Sequence, residues 1–289
     1  MLDQQIIKAV LQWHLDTGVD ETIADEPQDR FAQFAAEQAQ KAAPAAGARA
    51  QAAPPPASSP SSAPAARAPV VKPPAPKAPS DQAALADAVQ LAHEAGDLDG
   101  LRAALEKFDG CALKATASNL CFIDGNQNAR LLLVGEAPGA EEDRQGLPFV
   151  GPSGQLLDAM LASVGLDRRA DDPANAALIS NTVFWRPPGN RTPTPRETAL
   201  CLPFIERLIE IVGPKALVCV GGPSAKSLLG QSRGITRLRG KWFSYETPGM
   251  TAPIPAMALY HPAYLLRSPA MKRDAWRDLL MLRRKFDEL

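Results

Sequence analysis

Three polar side chains of different chemistry each stand in a Gly- or Pro-rich turn beside a short apolar run. Glu136 lies in Gly135-Glu136-Ala137-Pro138-Gly139-Ala140-Glu141-Glu142-Asp143, after the apolar stretch Leu131–Val134. Asn181 begins Asn181-Thr182-Val183-Phe184-Trp185-Arg186-Pro187-Pro188-Gly189-Asn190-Arg191, and His261 begins His261-Pro262-Ala263-Tyr264-Leu265-Leu266-Arg267. A carboxylate can hold a water, an amide offers a donor and an acceptor together, and an imidazole can hydrogen-bond a developing anion. Between the first two turns, Pro148-Phe149-Val150-Gly151 holds one aromatic ring stiffly enough to present a flat face to a base. Arg186 and Arg191 suit phosphate contacts, and the adjacent Leu265 and Leu266 could wedge into a gap in stacked bases. The first turn lacks the Gly-Lys-Ser/Thr ending of a nucleoside triphosphate site and the Gly-x-Gly-x-x-Gly of a dinucleotide site, so both are excluded.

These turns need a scaffold that delivers them to one place. From Ala129 onward, short apolar runs alternate with helical stretches: Leu131–Val134, Gly154–Val164, Leu178–Val183, Thr198–Ile211 and Ala216–Val220. Runs that are apolar throughout bury both faces, so the rhythm predicts an α/β three-layer sandwich with a central, mostly parallel sheet flanked by helices. Trp242–Tyr245 and Ala256–Leu259 read as further strands, and Asp274–Phe286 as a closing helix. Ser80 or Asp81 can cap a helix to about Ala95, and Asp97 another from Leu98 to about Phe108. In such sheets the working loops lie beyond the carboxyl ends of the strands.

The chain has 289 residues and a formal charge of -1. Residues 1–108 carry 9 Lys and Arg against 14 Asp and Glu, whereas residues 109–289 carry 22 against 18. The second part therefore has an excess of cations compatible with a polyanionic partner. Residues 42–80 are Ala, Pro and Ser with almost no large apolar side chain, a composition that forms a disordered linker rather than a core. It separates a short helical segment within residues 1–41, with Ile6, Ile7, Val10 and Leu11 at helical spacing, from a domain over residues 81–289. That helix is a candidate docking element for a protein partner. No apolar run approaches the ~20 residues that span a bilayer. Four cysteines without regular spacing suggest free thiols in a reducing cytoplasm.

Taken together, Gly135-Glu136-Ala137-Pro138-Gly139, Pro148-Phe149-Val150-Gly151, Asn181 with Arg186 to Arg191, and His261 to Arg267 resemble the family 4 uracil-DNA glycosylases, the iron–sulfur type, in order and spacing. The resemblance runs from about Gly110 to the C-terminus. It implies a monomeric repair enzyme, bacterial in type and working at the nucleoid in the cytoplasm. Such an enzyme flips uracil from single- or double-stranded DNA and hydrolyses the N-glycosidic bond. Residue by residue, it implies that Glu136 positions the attacking water and His261 stabilises charge at uracil O2. Phe149 would stack on the base, Asn181 read its polar edge, and Ala137 and Glu142 close the pocket. Arg186, Arg191, Tyr264, Leu265, Leu266 and Arg267 would meet the DNA.

The family also holds a four-iron cluster on four cysteines, and here the chain departs from it. Cys111 and Cys201 match two ligand positions, but Lys114 and Trp185 occupy the others, and Cys121 has the wrong spacing. Neither Lys nor Trp is a usual cluster ligand, so the expectation is a chain that has lost the cluster and binds no other metal or cofactor. Two rival readings share the fold: a glycosylase for another deaminated or mispaired base, and a non-catalytic DNA-binding accessory protein.

Overall fold

The structure is a computed structural model, described for residues 81–289; the helix expected within residues 1–41 and the linker over 42–80 lie outside the described residues. Two helices open the domain, α1 (Asp81–Glu94) and α2 (Leu98–Lys107). The Asp97 side chain caps α2 by accepting from the Gly100 amide at 2.7 Å, which satisfies a donor that the first helical turn leaves without a partner.

Next come β1 (Asp124–Gly125), β2 (Leu131–Gly135), α3 (Ala140–Gln145), α4 (Pro152–Ala162), β3 (Ala177–Asn181), α5 (Pro195–Val212) and β4 (Ala216–Val220). The chain closes with α6 (Gly222–Leu229), α7 (Ile235–Leu238), β5 (Trp242–Tyr245), β6 (Ile254–Leu259), α8 (Pro262–Arg267) and α9 (Lys272–Phe286). The strands form one six-stranded sheet in the order β1-β3-β2-β4-β6-β5. The four central strands run parallel, while β1 and β5 pair antiparallel at the two edges.

Alternation along the strands divides the core between two faces. Leu132, Val134, Leu178, Leu217 and Cys219 pack against the α1, α2 and α5 side, and Leu131, Leu133, Ile179, Val218 and Met257 pack against α4 and α9. Each fully buried leucine contributes about 1.5–3 kcal/mol relative to an exposed one, so covering both faces is what makes the parallel centre stable. The expected three-layer α/β sandwich is present.

Three differences from the sequence expectation concern the loops. Strand β3 stops at Asn181 rather than Val183, because beyond that point Thr182 and Val183 turn to bond the backbone carbonyls of Gly135 and Glu136. Ala140–Gln145 and Pro262–Arg267, both read as open turns, are short helices. In each, a residue at the start makes the turn helical: the Glu142 carboxylate reaches back to the Gly139 amide, and Pro262 occupies the first turn after His261, where no amide hydrogen is needed.

Candidate active site

Neighbouring strands β2 and β4 send their onward chains to opposite faces of the sheet, through α4 and α6 respectively, and this opens a crevice above their carboxyl ends. Glu136 follows β2, Asn181 ends β3, Gly221 follows β4 and His261 stands just after β6. The register of β2 against β3 pairs Gly135 with Asn181. A Cβ at Gly135 would lie 2.5–2.6 Å from the Phe149 ring and closer still to the Asn181 Oδ1, so only glycine lets these two side chains meet there.

Phe149, Asn181 and His261 line one cavity of about 280 Å³ together with Ala137, Gly139 and Glu142. Phe149 has φ 54°, in the left-handed region, a conformation that costs a non-glycine residue roughly 1–2 kcal/mol and has to be imposed by its surroundings. Its ring centroid lies 5.5 Å from that of His261, tilted by 33°. Asn181 is only 1% exposed, yet its Oδ1 is buried with no hydrogen-bond partner. A buried orphan acceptor costs about 1–3 kcal/mol, and at a cavity wall it is an observation that calls for a ligand donor.

Glu136 does not line this cavity. It faces an adjoining one of about 560 Å³ with Arg191, Thr192, Gly221, Tyr264 and Arg267, and the two share His261, Ala137, Gly139, Ser153 and Asn190. Three of the four residues thus line one cavity, and Glu136 lines an adjoining one that His261 also reaches. Burial raises the Glu136 carboxyl above its ordinary value, and a hydrogen bond from the Thr192 side chain partly offsets this. Its carbonyl is pinned by the Thr182 hydroxyl at 2.7 Å, which fixes where the side chain starts.

The His261 Nδ1 accepts from the Ala263 amide at 3.1 Å. A neutral imidazole then carries its proton on Nε2. Burial, with the Arg267 charge adding to it, pushes this histidine down to about 4, against an opposing pull from Glu142. The ring is therefore a neutral donor at neutral pH.

The other expected contacts fare unevenly. Glu142 accepts from the amides of Val150 at 3.0 Å, Gly151 at 2.9 Å and Gly139 at 3.1 Å, so it shapes the cavity by clamping two loops together. Arg191 forms a two-pronged pair with Glu197 at 2.8 and 2.7 Å, which holds that carboxyl down at about 2. Arg186 donates to the Asn190 Oδ1 at 2.7 Å. Both arginines therefore brace the loop they sit in. Leu265, expected to enter DNA, is 1% exposed and packs in the core under α8, whereas Leu266 is 44% exposed. Consecutive residues on a helix point about 100° apart, so only one of the pair can face outward. Tyr264 packs on Tyr260 with centroids 5.1 Å apart, and Arg267 lies exposed at the rim of the larger cavity.

Cys111 and Cys201 are both buried and hydrogen-bond each other, which lowers the Cys111 thiol and, with burial, raises Cys201 well above the usual thiol range. Lys114 turns its ammonium to the carbonyls of Glu106 and Phe108 and to Asp109. Trp185 is buried edge-on to Phe184. Cys121 donates to the Glu142 carbonyl at 3.1 Å, and burial pushes its thiol up to about 12. Two thiols, an ammonium engaged elsewhere and a packed indole do not fit a four-iron cluster held by four thiolates. Among the described residues, no group of three or more His, Cys, Asp or Glu side chains is arranged to hold a metal ion.

A six-stranded sheet whose carboxyl edge joins a partnerless amide oxygen, a strained aromatic and a neutral imidazole defines an α/β sandwich with a polar cavity at its strand ends, and sequence comparison gives its class. A family model described as the uracil DNA glycosylase superfamily matches residues 122–280, and the chain belongs to that superfamily. Within it the chain is similar to the type-4 uracil-DNA glycosylase of Archaeoglobus fulgidus, 38% identical over 168 residues that make up 57% of this chain and 80% of that one. The type-4 enzyme of Thermotoga maritima is 39% identical, over 57% of this chain and 80% of its own. That of Pyrobaculum aerophilum is 35% identical, over 64% and 92%.

Proposed function

We propose that this chain removes uracil from DNA, and the observation that carries the reading is the buried, partnerless Oδ1 of Asn181, a residue that lines the cavity with Phe149 and His261. The pyrimidine enters that cavity, stacks on Phe149 and gives its N3–H to Oδ1, while the amide nitrogen gives a hydrogen to O4. Cytosine presents an acceptor at N3 and a donor at C4, the reverse pattern, and leaves Oδ1 unmatched. The Cys111 and Cys201 site works in this reading as packed core, without a cluster.

The N-glycosidic bond breaks with its electron pair going to uracil N1. The sugar becomes oxocarbenium-like, and the negative charge on the departing base is met at O2 by the His261 Nε2–H. Water held by Glu136 from the adjoining cavity adds at C1′ and loses its proton to the carboxylate. Free uracil and an abasic site result. Leu266, and not Leu265, takes the space left in the duplex, with Tyr264 and Arg267 near the backbone. Arg186 and Arg191 act on the DNA by holding their loop in shape as well as by charge. The partner is uracil-containing DNA, met by a single copy of the chain in the bacterial cytoplasm. The four cysteines are buried and free, which agrees with a reducing compartment.

The test of the reading is release of uracil from an oligonucleotide, followed by alkaline strand cleavage at the abasic site. No cleavage by the folded protein on either single- or double-stranded substrate would end it.

The pH profile carries a separate expectation. The reaction needs Glu136 ionised, and burial raises its pKa above 4.5, so the single-turnover rate falls on the acid side through that raised value. His261 stays neutral down to about 4, so no inflection appears at the ordinary imidazole value of 6.5. Glu136→Gln should be slower and should lose the upper inflection. An inflection near 6.5 that disappears with His261 would contradict the neutral-donor assignment.

The metal content can be measured directly. Anaerobically purified protein should contain neither iron nor acid-labile sulfide in stoichiometric amount and should lack the visible absorbance of a cluster. Both at stoichiometry would overturn the cluster-free reading.

A further inference from the structure

The loop that bears Phe149 is gripped from behind by a side chain that touches neither cavity. Arg168 lies in the polar run Asp167-Arg168-Arg169, which by its letters should be solvated, yet it is 4% exposed. Its guanidinium donates to the Pro148 carbonyl at 3.2 Å and to the Phe149 carbonyl at 3.0 Å. The same group pairs with Asp124 at 2.8 Å and with Asp158 at 2.7 Å. Asp124 stands in the edge strand β1 and Asp158 in α4, so one cation joins two ends of the core to the aromatic loop.

That arrangement answers a question posed by the Phe149 backbone. A left-handed phenylalanine does not hold itself, and two successive carbonyls captured by one planar fork supply the constraint. Gly154 backs the loop from the other side, because any Cβ there would strike the Phe149 backbone. The carboxylates of Asp124 and Asp158 in turn aim the fork and balance its charge in a buried place.

We propose that Arg168 is a positioning residue for the base-stacking plate: by clamping the Pro148 and Phe149 carbonyls it fixes the plane of the Phe149 ring against which the extruded pyrimidine lies. The proposal rests on the reading of Phe149 as that plate. Lysine keeps the charge but offers its hydrogens from a single point, and so cannot serve two carbonyls and two carboxylates in one plane.

The experiment is a double-mutant cycle on single-turnover uracil release, with affinity for an oligonucleotide containing a tetrahydrofuran abasic analogue as the second readout. Phe149→Ala should slow release, and Arg168→Lys should slow it roughly 10–100-fold through a misplaced ring. Affinity for the abasic analogue, which has no base to stack, should stay unchanged. In the Phe149→Ala background, Arg168→Lys should have no further effect on the rate. If Phe149→Ala is itself without effect, the plate reading fails and the proposal with it. If Phe149→Ala is slow but Arg168→Lys costs the same in both backgrounds, or nothing in either, Arg168 is overturned as a positioning residue. Thermal melting checks that Arg168→Lys is folded. Should it not fold, Asp158→Asn, at a carboxylate partly open to solvent, loosens the guanidinium and is judged by the same rule.

Discussion

His261→Ala is expected to lower the single-turnover rate of uracil release by about 10²–10³-fold, the usual cost of removing one preorganised donor from a developing anion. The effect should be this large because the imidazole needs no reorganisation as the bond breaks. The Ala263 amide fixes its Nδ1, burial holds it neutral, and the Phe149 ring lies alongside. The variant should still bind uracil-containing DNA, since the loss concerns charge that appears only in the transition state. Stability should shift the opposite way in acid. The folded-state pKa of His261 is depressed, so its contribution is present above 6.5 and is lost as pH falls toward about 4. The alanine variant, lacking that titration, should lose less stability over the same interval in urea unfolding. An unchanged release rate would remove His261 from the chemistry.

Asn181→Ala should lower the rate on uracil by about 10–100-fold, corresponding to the ~1–3 kcal/mol of a recognition hydrogen bond made in a buried place. The more telling measurement is selectivity. A site that must satisfy a buried acceptor rejects a base lacking the matching donor by about 10⁴-fold or more, so the wild-type chain should leave cytosine untouched. In the alanine variant the orphan acceptor is gone, and what remains of the activity should discriminate less between the two bases. Full selectivity retained in Asn181→Ala would move base reading to another group along the wall, and the cavity would need a different ligand.

Much of this was legible before any fold was known. Runs such as Leu131-Leu132-Leu133-Val134 and Ala216-Leu217-Val218-Cys219-Val220 are apolar at every position, and a strand can bury both faces only in a covered parallel sheet. Position just after a strand marked Glu136 and His261, and position near the carboxyl end of one marked Asn181, as side chains delivered to one edge. Of the two edge strands, β5 was read at its observed bounds, Trp242–Tyr245, and β1 was not legible. Asp124–Gly125 is two residues long, and nothing in so short a run carries a period.

The leucine pair shows a different kind of limit. Leu265 and Leu266 have the same composition and adjacent positions, and only the orientation of α8 on the core separates the buried one from the exposed one. Arg168 is the sharper case. A basic residue among aspartates reads as a solvated surface, and the carbonyls and carboxylates that draw it inside come from residues 10 to 44 positions away in the chain.

By itself, then, the order of residues determined the layer architecture, the set of loops at the strands' carboxyl ends and the superfamily, because hydrophobic period and turn chemistry are local properties. The cluster-ligand mismatch at Lys114 and Trp185 was equally a matter of letters. The tertiary structure alone decided that Glu136 lines a cavity adjoining that of Phe149 and Asn181, that the Asn181 oxygen has no partner, that the imidazole is neutral and that Phe149 is held in a strained backbone. Each of these depends on burial and on distances between groups far apart in the chain, and neither quantity exists until the sheet has closed.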